Sequence, residues 1–141
     1  MAGHAMTEKR ALQVAVAILA LIPIGAGGAG VIWGAASMNE EAVTVSLDSH
    51  VRYLSGLLLA IGFGFWSTIP DIERKTGRAR LLTALVVVGG IARLGGLAYG
   101  IPSLPMLGGL VMELVVTPAL CLWQARIASL TQAKSDTISN A

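Results

Sequence analysis

Four long apolar runs alternate with short polar connections along this chain. The runs cover about residues 11–34, 51–69, 81–101 and 106–125, and each is close to the about 20 residues that a membrane-spanning helix needs. A helix of this length in a water-soluble protein carries a charged face, whereas these runs are apolar on nearly all sides. The pattern predicts an all-α fold, an up-down bundle of four transmembrane helices. A water-soluble helical bundle is the main alternative.

The overall composition also favours a membrane protein. Of the 141 residues, 55% are hydrophobic and 13% are charged, which is typical of chains that fold in lipid. The runs indicate a single four-helix domain over residues 11–127, preceded by a polar lead over residues 1–10. Because the composition then turns polar, we expect a disordered tail over residues 128–141.

The charges outside the apolar runs predict the orientation of the chain. The net charge of +2 is too small to indicate a nucleic-acid partner. The third connection has no charge, and the first holds the acidic residues Glu40, Glu41 and Asp48. Basic residues dominate the other polar segments: Lys9, Arg10, Arg74, Lys75, Arg78, Arg80, Arg126 and Lys134. Because Lys and Arg concentrate in cytoplasmic segments, both termini and the second connection are predicted to be cytoplasmic.

Two charged residues, Arg93 and Glu113, lie inside the third and fourth runs. A charge at membrane depth is costly, and it marks either a functional site or a partner that neutralises it. Each residue lies ten positions from Ser103, in a segment that turns at Ile101–Pro105. If both flanks are helical, both charges lie about 15 Å below the turn, near the middle of the bilayer. The spacing predicts that they face each other at one depth.

Small and polar residues accompany these charges on both helices. On the third helix the stripe is Gly89, Arg93, Gly96 and Gly100, and on the fourth it is Gly109, Glu113, Thr117, Leu120 and Gln124. Small residues let membrane helices approach closely. Thr117–Pro118 predicts a kink, with the threonine hydroxyl bonding to backbone groups that the proline leaves free.

The first run contains a glycine-rich stretch, residues 25–30, that fits the G-x-G-x-x-G pattern of dinucleotide-binding proteins. That pattern requires a preceding strand and a parallel sheet, and the chain offers neither. We interpret the stretch, together with Gly30-x-x-x-Gly34, as a surface for close helix packing. Pro23 is expected to kink this helix near its middle or to loosen its hydrogen bonding there.

The second helix follows the longest outside connection. Residues 43–47 alternate in a way that predicts a short extended piece, a candidate lid, and Asp48 or Ser49 is expected to cap the helix. His50 is isolated from other metal ligands, so a hydrogen-bonding or proton-handling role is favoured over metal binding. Arg52 is predicted to extend outward or to point inward toward Glu113. The face predicted to pack inward is Arg52, Ser55, Gly56, Leu59, Gly62 and Trp66.

Five motifs, taken in order, carry a resemblance to a known family. They are Leu47-Asp48-Ser49-His50-x-Arg52-Tyr53, Ile69-Pro70-Asp71-Ile72-Glu73, Gly89-Gly90-Ile91-Ala92-Arg93, Gly100-Ile101-Pro102-Ser103 and Met112-Glu113-Leu114. Over about residues 9–127 the chain resembles an uncharacterised bacterial family of small four-helix membrane proteins, described as a domain of unknown function. The resemblance implies four spans in the bacterial inner membrane and singles out Asp48, His50, Arg52, Arg93 and Glu113, but it implies no activity. In architecture alone the chain is also similar to small membrane subunits associated with quinone chemistry.

Three functional hypotheses follow. In the first, a binding or carrier module, Arg52, Arg93, Glu113, His50 and Asp48 line a polar pocket for a small anionic or amphipathic ligand, such as a lipid headgroup or a quinone. In the second, Arg93 and Glu113 form a structural ion pair in a scaffold subunit of a homo-oligomer or larger membrane complex. Membrane lipid is a partner in either case, and no metal or cofactor is predicted.

The third hypothesis is a membrane enzyme acting on a lipid-soluble substrate. Glu113 or His50 would then serve as general acid or base. A nearby Arg93 would hold Glu113 ionised and oppose that role. Because no nucleophile, metal cluster or phosphate-binding loop supports this hypothesis, we favour a protein without catalytic residues.

Overall fold

The computed structural model describes residues 2–38 and 43–139, which are helical for most of their length. Among them are four helical segments long and apolar enough to cross a membrane: Met6–Met38, Val45–Asp71, Thr76–Tyr99 and Leu104–Ala133. No strand occurs in this part of the chain. Only 6% to 22% of the most apolar window of each segment is buried, so most of the apolar surface is free to contact lipid. The prediction of an all-α fold with four membrane-length helices is confirmed.

Each membrane-length segment is built from one or more regular elements. The helices are α1 (Ala2–Leu19), α2 (Leu21–Trp33), α3 (Val45–Trp66), α4 (Thr76–Gly96), α5 (Leu104–Val111) and α6 (Thr117–Ser139). Short 3₁₀ turns cover Gly34–Met38, Ile69–Asp71 and Leu97–Tyr99, and a π-helical turn covers Met112–Val116. The chain forms two compact units: a first unit of residues 14–69, and a second unit of residues 1–13 and 70–141.

The first span is interrupted close to its proline. α1 ends at Leu19 and α2 begins at Leu21, with Pro23 in the first turn of α2. Because proline lacks an N–H and its ring collides with the carbonyl four residues earlier, here that of Leu19, this interruption has a direct cause. α1 already begins at Ala2, so the polar lead predicted for residues 1–10 is helical over its described part.

In the first unit, α2 and α3 pack together through glycines. A Cβ atom on Gly27 would lie 2.6 Å from Leu59 N and 2.8 Å from Ser55 O, and one on Gly30 would collide with the Ser55 hydroxyl. On α3, a Cβ on Gly62 would lie 2.6 Å from Ile24 Cγ1. The glycine-rich stretch is therefore a helix-packing surface, as predicted.

In the second unit, α4 packs against the segment formed by α5, the π turn and α6. At one end of this packing, Gln124 Nε2 donates to Ile72 O (2.6 Å) and to Thr76 Oγ1 (2.9 Å). The side chain of Ile72 is fully buried there. Also within the second unit, and close in sequence to Ile72, Glu73 pairs with Lys9: Lys9 Nζ lies 2.8 Å from Glu73 Oε1. Polar contacts thus fix the end of α4 that carries the second connection.

Two boundaries differ from the sequence predictions. α3 begins at Val45, and its N-cap is Thr44, whose Oγ1 accepts from Leu47 N–H at 3.2 Å. The predicted extended lid over residues 43–47 and the predicted cap at Asp48 or Ser49 are therefore wrong. Thr44 accepts from an amide of the first turn, as either of those residues would have done if the helix had begun later in the sequence.

The second difference is the C-terminal segment, which was predicted to be disordered from residue 128. α6 continues to Ser139, through a segment that contains good helix formers such as Ala128 and Gln132. Of the charges used to predict orientation, Glu40, Glu41 and the side chain of Lys134 lie outside the described residues.

Candidate functional site

The first unit contains a polar cluster made by Asp48 and Arg52 of α3. Arg52 Nε donates to Asp48 Oδ2 at 2.7 Å, one helical turn away. Arg52 Nη1 donates to Val31 O (2.7 Å) and Ile32 O (3.1 Å), and Asp48 Oδ1 accepts from Ala35 N–H at 2.9 Å. The aspartate and the arginine together tie the start of α3 to the end of α2.

This cluster satisfies backbone groups that the end of α2 would otherwise leave without partners. The last carbonyls of a helix carry partial negative charge and lack donors within the helix, so a guanidinium placed on them is favourable. The chain turns there at Gly34, which has φ 59° and ψ −141°. A Cβ at Gly34 would collide with Asp48 Oδ1 and lie 2.8 Å from Arg52 Nη2. Gly34 is therefore a capping residue, whereas the sequence predicted a helix-packing role.

His50 lies on α3 between these two residues in sequence, but it is exposed. It takes no part in the hydrogen bonds of the Asp48–Arg52 cluster. Among the described residues, no group of three or more His, Cys, Asp or Glu side chains could hold a metal ion. Of the three candidate residues Asp48, His50 and Arg52, the structure thus brings together Asp48 and Arg52.

The second unit places Arg93 of α4 beside Glu113 of the π turn. Arg93 Nη2 lies 3.1 Å from Glu113 Oε1, with the two side chains 38% and 18% exposed. The other terminal nitrogen, Nη1, lies 3.7 Å from Met106 Sδ. A Cβ added to Gly109 would lie 2.8 Å from that same Nη1, so the guanidinium rests directly on the glycine backbone of α5.

The close approach of the two segments depends on a glycine other than the predicted one. A Cβ on Gly90 would lie 2.8 Å from Leu114 Cδ2 and 3.0 Å from Glu113 Cβ, whereas no atom of the described residues lies within 4 Å of one on Gly89 or Gly96. Gly90 and Arg93 are three residues apart, so they share a face of α4. The glycine of α4 that permits the close approach is therefore Gly90, one position after the predicted Gly89. Sequence reasoning also missed Met106, for which the pattern offers no signal.

Glu113 lies where the helix widens into a π turn. Thr117 N–H donates to Met112 O, the five-residue spacing of a π-helix, and Thr117 Oγ1 donates to the same carbonyl at 2.8 Å. Pro118 accounts for the distortion because it has no N–H and its ring would collide with Leu114 O in a regular helix. The threonine hydroxyl thus bonds to the backbone, but to the carbonyl of Met112 and not to Leu114 O, the carbonyl that the proline leaves free, so the prediction holds only in part. Turns of this kind occur often at functional sites.

One oxygen of Glu113 has no hydrogen-bond partner in the part of the chain that the structure describes. Oε1 faces Arg93, whereas Oε2 is buried and accepts no hydrogen bond from the described residues. A carboxylate oxygen buried without a donor is costly, and in native proteins such an atom calls for an explanation. This oxygen and the remaining N–H groups of Arg93 make the pair the strongest candidate site of the second unit. That all five predicted residues line one pocket stays a prediction.

Comparisons with known proteins place the chain in a family but assign it no activity. No curated protein and no solved structure matches it significantly. One family, described as a domain of unknown function (DUF4345), matches residues 11–124, a range that includes Asp48, Arg52, Arg93 and Glu113. The five motifs and the bacterial origin of the family stay predictions. Because the match covers most of the chain, this protein belongs to the DUF4345 family.

Proposed function

We propose that this protein is a membrane-embedded binding or carrier module in which Arg93 and Glu113 hold the polar head of a small anionic or amphipathic ligand. A lipid headgroup and a quinone are the ligand types with suitable chemistry. The observation that carries the proposal is the incomplete pairing of Arg93. Among the described residues, its guanidinium has one carboxylate oxygen and one thioether sulfur as partners, and the Arg93 side chain is 38% exposed.

An arginine in this position needs a further acceptor. The guanidinium has five N–H donors, and a thioether sulfur such as that of Met106 is only a weak acceptor. Donors left open toward hydrocarbon cost free energy, which is why intramembrane charges usually face a partner or a water-filled cavity. An oxygen-bearing ligand head beside Arg93 would supply the missing acceptor, while the apolar surface of α4 would contact its tail.

The position of Arg93 along its span supports access from the lipid. Arg93 lies six residues before Tyr99, where the third span ends, and this separation corresponds to about 9 Å along a helix. With both termini in the cytoplasm, this end of the span is the outer one. A ligand with a polar head and an apolar tail could then reach the site from the outer leaflet without crossing the bilayer.

The proposal is tested by identifying amphiphiles that co-purify with the full chain. The parent protein and the Arg93→Ala and Glu113→Ala variants would be isolated in native-lipid nanodiscs and their lipids and quinones quantified by mass spectrometry. Arg80→Ala is a matched control, because Arg80 is an exposed arginine at the other end of the same helix. We expect one enriched compound that falls at least about tenfold in Arg93→Ala and persists in Arg80→Ala. Unchanged profiles in folded Arg93→Ala and Glu113→Ala proteins would contradict the proposal.

A scaffold subunit is the second candidate function. The observation that favours it is the tight packing around the pair, where Gly90 and Gly109 leave no space for larger side chains. In a scaffold, removing one partner strands the other and costs roughly 3 to 5 kcal/mol. The double exchange Arg93→Glu with Glu113→Arg separates the two functions. A scaffold would regain both stability and assembly in the exchanged protein, whereas a binding module would regain stability without its ligand.

A further inference from the structure

We infer that a groove at the start of α1 binds the phosphate of an anionic phospholipid. This groove, the α1 groove, has a volume of about 290 Å³ and is lined by Met6, Lys9, Arg10 and Gln13. Their spacing of three, four and seven residues places them on one face of the helix. The inference goes beyond the proposed function, because it assigns a second site that involves neither residue of the Arg93–Glu113 pair.

The α1 groove lies where the first membrane-length segment begins. That segment starts at Met6, and Gln13 follows about 10 Å further along the helix. The headgroup layer of a bilayer is about 5 to 8 Å thick on each side of the hydrocarbon, so the first two turns of a span lie beside lipid phosphates. A group that enters the groove is therefore supplied by the neighbouring lipids more readily than by free phosphate in water.

The two basic side chains of the groove have different surroundings. Lys9 Nζ lies 2.8 Å from Glu73 Oε1, so its charge is balanced. Arg10 is exposed, and no carboxylate of the described residues lies within ion-pair distance of it. Glu8, two positions earlier, lies on another side of the helix. Within the described part of the chain, the charge of Arg10 is therefore left for a ligand to balance.

The chemistry of the lining side chains matches a phosphate diester. The planar guanidinium of Arg10 can donate to two phosphate oxygens at once, which an ammonium group cannot do. A neutral head would leave the charge of Arg10 unbalanced, and a cationic head would be repelled by it. The volume is at the lower end of the range for ligand pockets, so it suits a headgroup whose acyl chains stay in the bilayer.

The charge around the groove also favours an anion. The pair Lys9–Glu73 brings the start of α1 to the second connection. Residues 74–80, at the end of that connection, include four basic side chains and no acidic one. Basic segments at a membrane surface attract anionic lipids. The surface that adjoins the α1 groove is therefore expected to concentrate the class of lipid that Arg10 binds.

The test compares lipids that differ in one group. The full chain in detergent micelles would be titrated with dioctanoyl phosphatidylglycerol, dioctanoyl phosphatidylcholine and dioctanoylglycerol, and the bound molecules counted by native mass spectrometry. A hydrogen bond to a charged group corresponds to about 10- to 100-fold in affinity. We expect this preference for phosphatidylglycerol over dioctanoylglycerol, which lacks the phosphate, with phosphatidylcholine in between because its choline offsets the phosphate charge. Excess inorganic phosphate should not displace the lipid.

Four variants locate the binding. We expect Arg10→Gln to weaken the binding of phosphatidylglycerol by about tenfold or more, and Arg10→Lys, which keeps the charge without the planar donors, to weaken it less. Arg80→Gln is the matched control, because it removes the same charge from an exposed arginine outside the groove. It should weaken binding by about fivefold at most. Arg93→Ala should bind phosphatidylglycerol as the parent does.

The outcomes separate this inference from the proposed function. Equal losses in Arg10→Gln and Arg80→Gln would indicate general attraction to the surface and would overturn the α1 groove as a site. Displacement by inorganic phosphate would overturn the assignment to a lipid. Loss of binding in Arg93→Ala but not in Arg10→Gln would overturn this inference and leave the proposed function standing. If Arg10→Gln fails to fold, as judged by circular dichroism, unchanged binding in Arg10→Lys overturns the inference.

Discussion

At the residue scale, Gly34 is a position where only glycine fits. Its φ of 59° is unfavourable for other residues, and an added Cβ would collide with Asp48. We predict that Gly34→Ala lowers the free energy of unfolding by about 2 kcal/mol or more, measured as a drop in Tm in detergent. Gly28→Ala is the control, because an added Cβ there would meet no atom within 4 Å in residues 2–38 and 43–139 and alanine is the better helix former. Equal Tm values for the two variants would contradict the assignment of Gly34 as a cap.

The sequence could predict which charges matter but not their immediate surroundings. The position of Arg93 and Glu113, ten residues on either side of Ser103, follows from counting. The choice between Gly89 and Gly90 does not, because one residue is a rotation of 100° about the helix axis, and rotation is set by tertiary packing. Two of the acceptors of Arg52 were equally open, since they are carbonyls of α2 whose position depends on the turn at Gly34.

At the element scale, the π turn positions Glu113. Pro118 disfavours an α-helical register, and an alanine there would restore an N–H and remove the ring. We predict that Pro118→Ala restores a regular helix, a gain of about 1 to 3 kcal/mol that loss of the Arg93–Glu113 pair offsets, while the co-purifying ligand is lost because Glu113 rotates away from Arg93. Thermal unfolding and mass spectrometry measure the two effects.

The control for this substitution is the proline at the start of α5. Pro105 occupies the first turn of its helix, where proline costs little because the N–H would lack a partner anyway. Pro105→Ala should therefore change neither stability nor ligand content appreciably. Retention of the ligand by a more stable Pro118→Ala protein would show that the π turn is dispensable for binding. The proline itself predicted a distortion, but whether it would be a kink or a π turn depends on how α6 packs against α4.

At the scale of the whole molecule, the pair Lys9–Glu73 joins the beginning of the chain to the second connection. Burial alone would raise the pKa of Glu73, but hydrogen bonds from Lys9 and from its own backbone, with the positive charges of Lys9 and Arg74, hold that pKa below its ordinary value. The unfolded chain therefore binds the proton more readily than the folded chain. The resulting stabilisation is complete above the ordinary pKa of about 4.3 and is lost as the pH falls through the lower folded value.

We predict from this pair that the parent loses about 1 kcal/mol or less on acidification. The loss should begin near pH 4, and Glu73→Gln should lack this part of the pH dependence. The measurement is the midpoint of chemical unfolding in detergent between pH 3 and pH 7, with Asp71→Asn as the control because Asp71 is exposed and lies 3.9 Å from its lysine partner. Identical pH profiles for the parent and Glu73→Gln would show that the pair contributes nothing.

The orientation of the whole chain is the last prediction, and it follows from charge rather than from packing. Hydropathy alone was sufficient to locate four spans, because each run is long enough to cross a bilayer, but length does not distinguish inside from outside. The connection before α4 is basic, and the turn before α5 has no charge.

We predict that Gly77→Cys is labelled by a membrane-impermeant maleimide only from the cytoplasmic side and Ser103→Cys only from the outside. The native Cys121 lies within the fourth span and should be replaced by serine first. The opposite labelling pattern would place the Arg93–Glu113 site in the inner half of the bilayer, and its ligand would then have to come from the cytoplasmic leaflet.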